Sequence, residues 1–190
     1  VRGDIGGWKL LQTEADCEKW MGTVRFGDAF ADVPNQTSHS AMFSRAIVDR
    51  AERLVGKKYE RGSYGPETVD SAGLVYYVLF NEGVEVTKQS CREYSTVDSW
   101  KKIEDKADLQ PGDILFFDWD KIIEPLPLDH VGIVVDYDAK SGKITYVNGN
   151  GSSSLLVTKQ TMNINSTYIQ YWMRYVGDQS VKPIPKPDPI

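Results

Sequence analysis

Apolar and polar positions alternate along this chain in two distinct rhythms. In "SRAIVDRAERLVGKKY", Ala46, Ile47, Ala51, Leu54 and Val55 fall at helical spacing, with Ser44 placed to cap, and this predicts an amphipathic helix. The glycine- and proline-bearing loop "ERGSYGPET" follows. A second helix comes next, with Leu74, Val75, Val78 and Leu79 on one face and Gly83 as its stop. It is apolar nearly all round, so it is expected to be the buried one. The polar stretch "TKQSCREYSTVDSWKKIED" reads as another short helix and a loop.

From Leu109 the rhythm changes. Leu109 to Asp113 is a tight turn feeding the strand "ILFFDW", and "HVGIVVDYD" branches and alternates like a second strand. "AKSGK" turns the chain back into "ITYVNGN", which places His130 and Asn148 on two arms of one hairpin, and "YIQYWMRYV" is the last strand. Helices first and an antiparallel sheet afterwards predict an α+β domain.

The flanks differ from this centre. Residues 1–43 read as an N-terminal extension, with "GGWKLL" a short strand or loop and "TEADCEKWMG" a short helix capped by Thr13 and stopped by Gly22. Residues 44–178 form the expected domain, and the proline-rich 179–190 form an extended linker.

Composition narrows the function without naming it. Apolar residues at 41% and charged residues at 26% are ordinary for a globular domain. A net charge of −5 argues against a nucleic-acid partner, because a phosphate backbone demands clustered Lys and Arg. No apolar run approaches the roughly 20 residues of a membrane span, and no signal-peptide pattern is visible. The start at Val1 suggests a processed product or an excised domain. Ten tyrosines and five tryptophans fit either a cleft for sugar or peptide or an aromatic core. Cys17 and Cys91 leave one disulfide open as an option. His39 and His130 are the only histidines and no Cys/His cluster has ligand spacing, so neither a metal nor a cofactor is expected.

Three residues remain as candidate chemistry. Ser71 stands at the head of the buried helix, His130 on a strand and Asn148 on the adjoining strand. A nucleophile, a base and an amide that orients the base would be dispersed in this order. A helix N-terminus favours a nearby anion through its unpaired N–H groups and dipole, and Asn148 would accept the imidazole N–H that faces away from the nucleophile. On spacing alone the plainer reading is preferred, that of a capping serine, a satisfied strand histidine and a turn asparagine. The tripeptide Arg2-Gly3-Asp4, the sequons at Asn150 and Asn165 and the acidic run "EDKAD" carry no comparable chemistry.

The blocks "RAERLVGKKYERGSYGPETVDSAGLVYYVLFNEGVEV", "LQPGDILFFD", "DHVGIVV" and "GKITYVNGN" together resemble the NlpC-type cell-wall peptidases, a branch of the papain-like cysteine peptidases. The resemblance runs from about Ser44 to Val176. It implies a papain-like fold and hydrolysis of amide bonds in bacterial peptidoglycan stem peptides, typically from γ-D-glutamate to a diamino acid. By position it puts the nucleophile on Ser71, the base on His130 and the third polar residue on Asn148, with Asn150 as second choice. Tyr59 would line the nucleophile's pocket. Asp70 would bind the free amine of the stem peptide or simply cap the helix. Ala72 and Gly73 complete the substrate-facing motif, and backbone N–H groups near Ser71 would form an oxyanion hole. The implied setting is secreted, wall-bound or phage-associated, with a wall-binding or phage-tail module beyond the proline-rich tail.

Serine is the departure from that family's pattern, which has cysteine at this position. A thiol with pKa about 8.5 needs little help to ionise, whereas a hydroxyl must lose its proton during attack. A site shaped around the longer carbon–sulfur bond also holds an oxygen too far back. The sequence is therefore expected to be catalytically silent, through a Cys-to-Ser change or as a natural peptidoglycan-binding relative. A serine hydrolase is less favoured, because Val69 replaces the first glycine of the Gly-x-Ser-x-Gly elbow. Acyl transfer on the same scaffold stays open.

Overall fold

A computed structural model describes residues 41–84, 86–94, 100–119, 129–150 and 153–177. The chain divides into two units, 1–36 and 37–190, and every described residue belongs to the second. The expected helix around Thr13, Cys17, His39 and the proline-rich tail lie outside the described residues.

Helix α1 spans Ala41–Arg53. Phe43, Ile47 and Ala51 recur every four residues, form one stripe and are buried. The helix thus starts before Ser44, which does not cap it; the Ser44 hydroxyl donates to the Pro111 carbonyl instead. Val55 lies beyond the helix end and is exposed. Helix α2 spans Ser71–Asn81 and is buried from Ser71 to Val75 and at Val78 and Leu79, as its apolar character requires. It ends at Glu82 and at Gly83, whose φ of 80° suits glycine. Arg50 and the buried Glu82 pair, tying α1 to α2. Helix α3 is the short Cys91–Tyr94.

The strands are β1 (Lys58–Tyr59), β2 (Thr68–Val69), β3 (Trp100–Lys102), β4 (Ile114–Phe117), β5 (His130–Asp138), β6 (Lys143–Asn150), β7 (Leu156–Asn163) and β8 (Ile169–Tyr175). They form one eight-stranded sheet in the order β2-β1-β7-β6-β5-β4-β8-β3. Among the described residues only β1 and β2 run parallel, and every other strand pairing is antiparallel. The α+β, papain-like class expected from the sequence is the observed one. Alternation along the strands divides the core. Ile114, Phe116, Val131, Ile133 and Val147 join α1 and α2, while Leu115, Phe117, Val134, Ile144 and Tyr146 pack with Trp172 in a second cluster.

Two features of the sheet are not evident from the apolar pattern. Strand β7 inserts between β6 and β1, and β3 adds to the edge of β8. Beneath β4 and β8, Arg174 is buried with Asp113: its Nε donates to Oδ1 at 2.8 Å and its Nη2 to Oδ2 at 2.9 Å. That two-pronged pair fixes the turn entering β4 to the last strand.

Candidate active site

The loop before α2 folds onto the helix start through one carboxylate. Asp70 is extended (φ −93°) and caps the helix: its Oδ1 accepts from the Gly73 N–H at 2.6 Å and its Oδ2 from the Gly62 N–H at 2.7 Å. Of the two roles weighed for Asp70, capping is thus visible in its hydrogen bonds. Gly73 is needed for close approach, because a Cβ there would lie 1.9 Å from the Ser63 carbonyl oxygen. Ala72 is buried beside it.

Ser71 is therefore presented at a firmly held helix N-terminus, where the dipole favours negative charge. It is 7% exposed, and its Oγ lies 3.7 Å from the Cys91 Sγ on α3. Cys91 is a free, buried thiol, and burial pushes its pKa up to about 11. The start of α2 rests directly on the end of β6. A Cβ on Gly149 would come within 3.0 Å of both the Asp70 carbonyl carbon and the Tyr59 ring, and within 3.1 Å of the Ser71 nitrogen. Tyr59 accordingly packs beside the Asp70–Ser71 peptide, and burial raises its phenol pKa.

One residue before Gly149, Asn148 meets the other candidate. Its Oδ1 lies 2.9 Å from the His130 Nε2. The Asn148 Nδ2 donates to the Gln160 Oε1 at 3.2 Å and to the Thr158 hydroxyl and carbonyl at 3.4 Å. Those acceptors hold the amide with its oxygen toward the imidazole, so Nε2 carries the proton and Nδ1 keeps its lone pair. The Tyr146 hydroxyl donates to the same Gln160 oxygen at 3.1 Å. The register sets this relay, with Gly132 opposite Asn148, Asn148 opposite Thr158 and Tyr146 opposite Gln160. Asn150 instead accepts the Ser153 N–H at 3.2 Å.

Burial holds the His130 pKa below its usual 6.5, against the Asn148 hydrogen bond and the Asp129 and Asp70 carboxylates, which raise it. An imidazole that is neutral near pH 7, oriented by Asn148 and within electrostatic reach of the Asp70 carboxylate that caps α2 is suited to act as a base.

Sequence reasoning did not single out Gln160, Thr158, Tyr146 or the position of Cys91. The signal for the first three was the alternation Thr158, Gln160 on a strand facing Tyr146 and Asn148; nothing in the sequence places Cys91 beside Ser71. Among the described residues, no group of three or more His, Cys, Asp or Glu side chains gathers as a metal site.

Comparison with known proteins fits this geometry. Residues 56–179 match the NlpC/P60 family. Over 133 residues the chain is 33% identical to a probable endopeptidase p60 of Listeria grayi, covering 66% of this chain and 24% of that protein. It is 42% identical over 74 residues to a gamma-DL-glutamyl hydrolase of Bacillus subtilis, covering 37% of this chain and 17% of the other. The chain thus spans about a quarter or less of the length of these relatives. Among solved structures, NlpC2 of Trichomonas vaginalis superposes with a TM-score of 0.58 at 22% identity, covering 74% of this chain and 49% of that one. An NLP/P60-family lipoprotein-like protein of Staphylococcus aureus gives 0.55 at 16% identity, covering 77% and 46%. These two structural likenesses concern the fold.

Proposed function

The chain belongs to the NlpC/P60 family, and on that premise we propose that its site is built to hydrolyse the γ-D-glutamyl amide of peptidoglycan stem peptides through a thiol at position 71. With serine there, the chain is catalytically silent and retains the binding groove. The observation that carries this reading is the oriented pair His130–Asn148 at the same end of the sheet as the capped start of α2. The names of the Listeria and Bacillus relatives, an endopeptidase and a gamma-glutamyl hydrolase, support the choice of bond.

In the active form a sulfur at position 71 attacks the carbonyl carbon while Nδ1 of His130, the ring nitrogen not bonded to Asn148, takes its proton. Backbone N–H groups at the start of α2 stabilise the oxyanion, and the helix dipole adds to them. His130 then protonates the departing amine, and water releases the acyl group by the reverse route. Tyr59 lines the nucleophile's pocket. Asp70 acts through its cap, which fixes the direction of the helix start. Residues 44–178 are the catalytic unit, working outside the cell or at the wall, and the proline-rich 179–190 lead toward a wall-binding or phage-tail module.

The test is the Ser71→Cys chain against defined muropeptides, read by mass spectrometry. The expected result is two fragments split after γ-D-glutamate with the Ser71→Cys chain and none with the Ser71 chain. Binding without cleavage by both chains would make this a peptide-binding relative and not a disabled hydrolase.

A further inference from the structure

We infer that Trp119 and Tyr168, with the Asp129 carboxylate at their edge, form the subsite that holds the aminoalkyl side chain of the residue whose amine departs. The inference rests on the function proposed above and adds residues that set its specificity.

The sheet order supplies the direction. Crossing from β1 to β8, Tyr59 comes first, next Gly149 with the Ser71 backbone against it, then His130 on β5, then Phe117 and Trp119 at the end of β4, and last Tyr168 just before β8. In that order β5, which carries His130, lies between β6, on which the Ser71 backbone rests, and the aromatic group. A base in that position delivers its proton to the leaving amine, so what lies beyond it is on the amine side of the bond. In a stem peptide the glycan hangs from the acyl side, while the amine side carries the diamino acid.

The chemistry of the ledge suits that residue. Trp119 and Tyr168 are 38% and 41% exposed although both are large and apolar, and their ring centroids lie 4.8 Å apart. Trp119 stacks on the buried Phe117 ring at 5.1 Å and 12°, and its centroid is 6.1 Å from that of His130. The backbone N–H of Trp119 donates to both oxygens of the exposed Asp129 carboxylate, at 3.1 and 3.0 Å, and Asp129 directly precedes His130. The ledge is thus clipped to the strand that carries the base. Aromatic faces accept methylene groups and an ammonium, and a carboxylate at their edge adds attraction for the same charge. A sugar would need the faces and gain nothing from the negative charge.

The experiment uses the chain as it stands, with Ser71, and measures binding of three synthetic ligands by calorimetry. These are L-Ala-γ-D-Glu-L-Lys-D-Ala, the same peptide with norleucine for lysine, and the acyl-side dipeptide L-Ala-γ-D-Glu. The lysine peptide is expected to bind about three- to tenfold tighter than the norleucine peptide. Trp119→Ala should weaken the lysine peptide about tenfold and leave the dipeptide unchanged, which also reports that the variant is folded. Tyr168→Ala should act in the same direction, and Asp129→Asn should erase the preference for lysine. Unchanged tetrapeptide affinity in both aromatic variants, with the dipeptide still bound, overturns the subsite and leaves the proposed function standing. Equal losses for lysine and norleucine peptides overturn its cationic specificity, as would loss of binding to a wall disaccharide in Trp119→Ala. Binding of neither peptide overturns the proposed function and this inference together.

Discussion

The Ser71 hydroxyl lies 3.7 Å from the Cys91 sulfur, inside the wall of the site and away from bulk water. The one thiol seen near the nucleophile position therefore cannot stand in for the missing nucleophile, because burial raises its pKa to about 11 and thiolate is scarce at neutral pH. Cys91 is expected to stay essentially unmodified by iodoacetamide at pH 7.5 over the minutes in which a free cysteine reacts completely. Peptide mass spectrometry after timed quenching checks this, and rapid labelling at Cys91 would contradict it.

His130 should titrate below the usual histidine value of 6.5, since burial outweighs the hydrogen bond and carboxylates that favour its charged form. The linkage has a definite sign. As pH falls below 6.5 the unfolded chain binds this proton before the folded one, so the stability due to the neutral imidazole is present above 6.5 and is lost as pH falls through the folded value. Asn148→Ala removes a hydrogen bond that raises the value and should move the midpoint lower still. Imidazole chemical shifts followed against pH read both; a midpoint at or above 6.5 is the opposite result.

Two glycines should fail in different ways. A Cβ at Gly73 meets the Ser63 carbonyl oxygen at 1.9 Å, backbone against backbone, so Gly73→Ala should cost more than about 3 kcal/mol of folding stability. At Gly149 the nearest atoms are 3.0–3.1 Å away and include the Ser71 nitrogen. Gly149→Ala should cost only about 1–3 kcal/mol. In the Ser71→Cys background it should nevertheless lower turnover by about tenfold or more, because the start of α2 must move off the strand beside Asn148. Denaturation curves and single-turnover rates separate the two effects.

Much of this arrangement was legible in the sequence because it depends on local signals. The turn at "AKSGK" between two alternating strands places residues 130 and 148 on adjacent arms, and an apolar run after Asp70 marks the buried helix. What escaped depends on contacts across the chain. Strand β7 buries Val157 and leaves Leu156, Lys159, Thr161 and Asn163 exposed, so its sequence carries little apolar alternation, and Gln160 behind Asn148 was hidden with it. Ser44 looked like a cap because hydroxyls favour that place, but Phe43 extends the buried stripe and draws the helix start back to Ala41. Asp113 and Arg174 pair only because β4 lies beside β8, which no local pattern specifies.

The most direct measurement of the central claim, that position 71 faces the imidazole of His130 from a helix N-terminus, is the pH dependence of alkylation of the thiol introduced by Ser71→Cys. The account predicts a thiolate at least about one pH unit below the free value of roughly 8.5, rising when His130→Ala is added. An alkylation midpoint at 8.5 or above that ignores His130→Ala would contradict it.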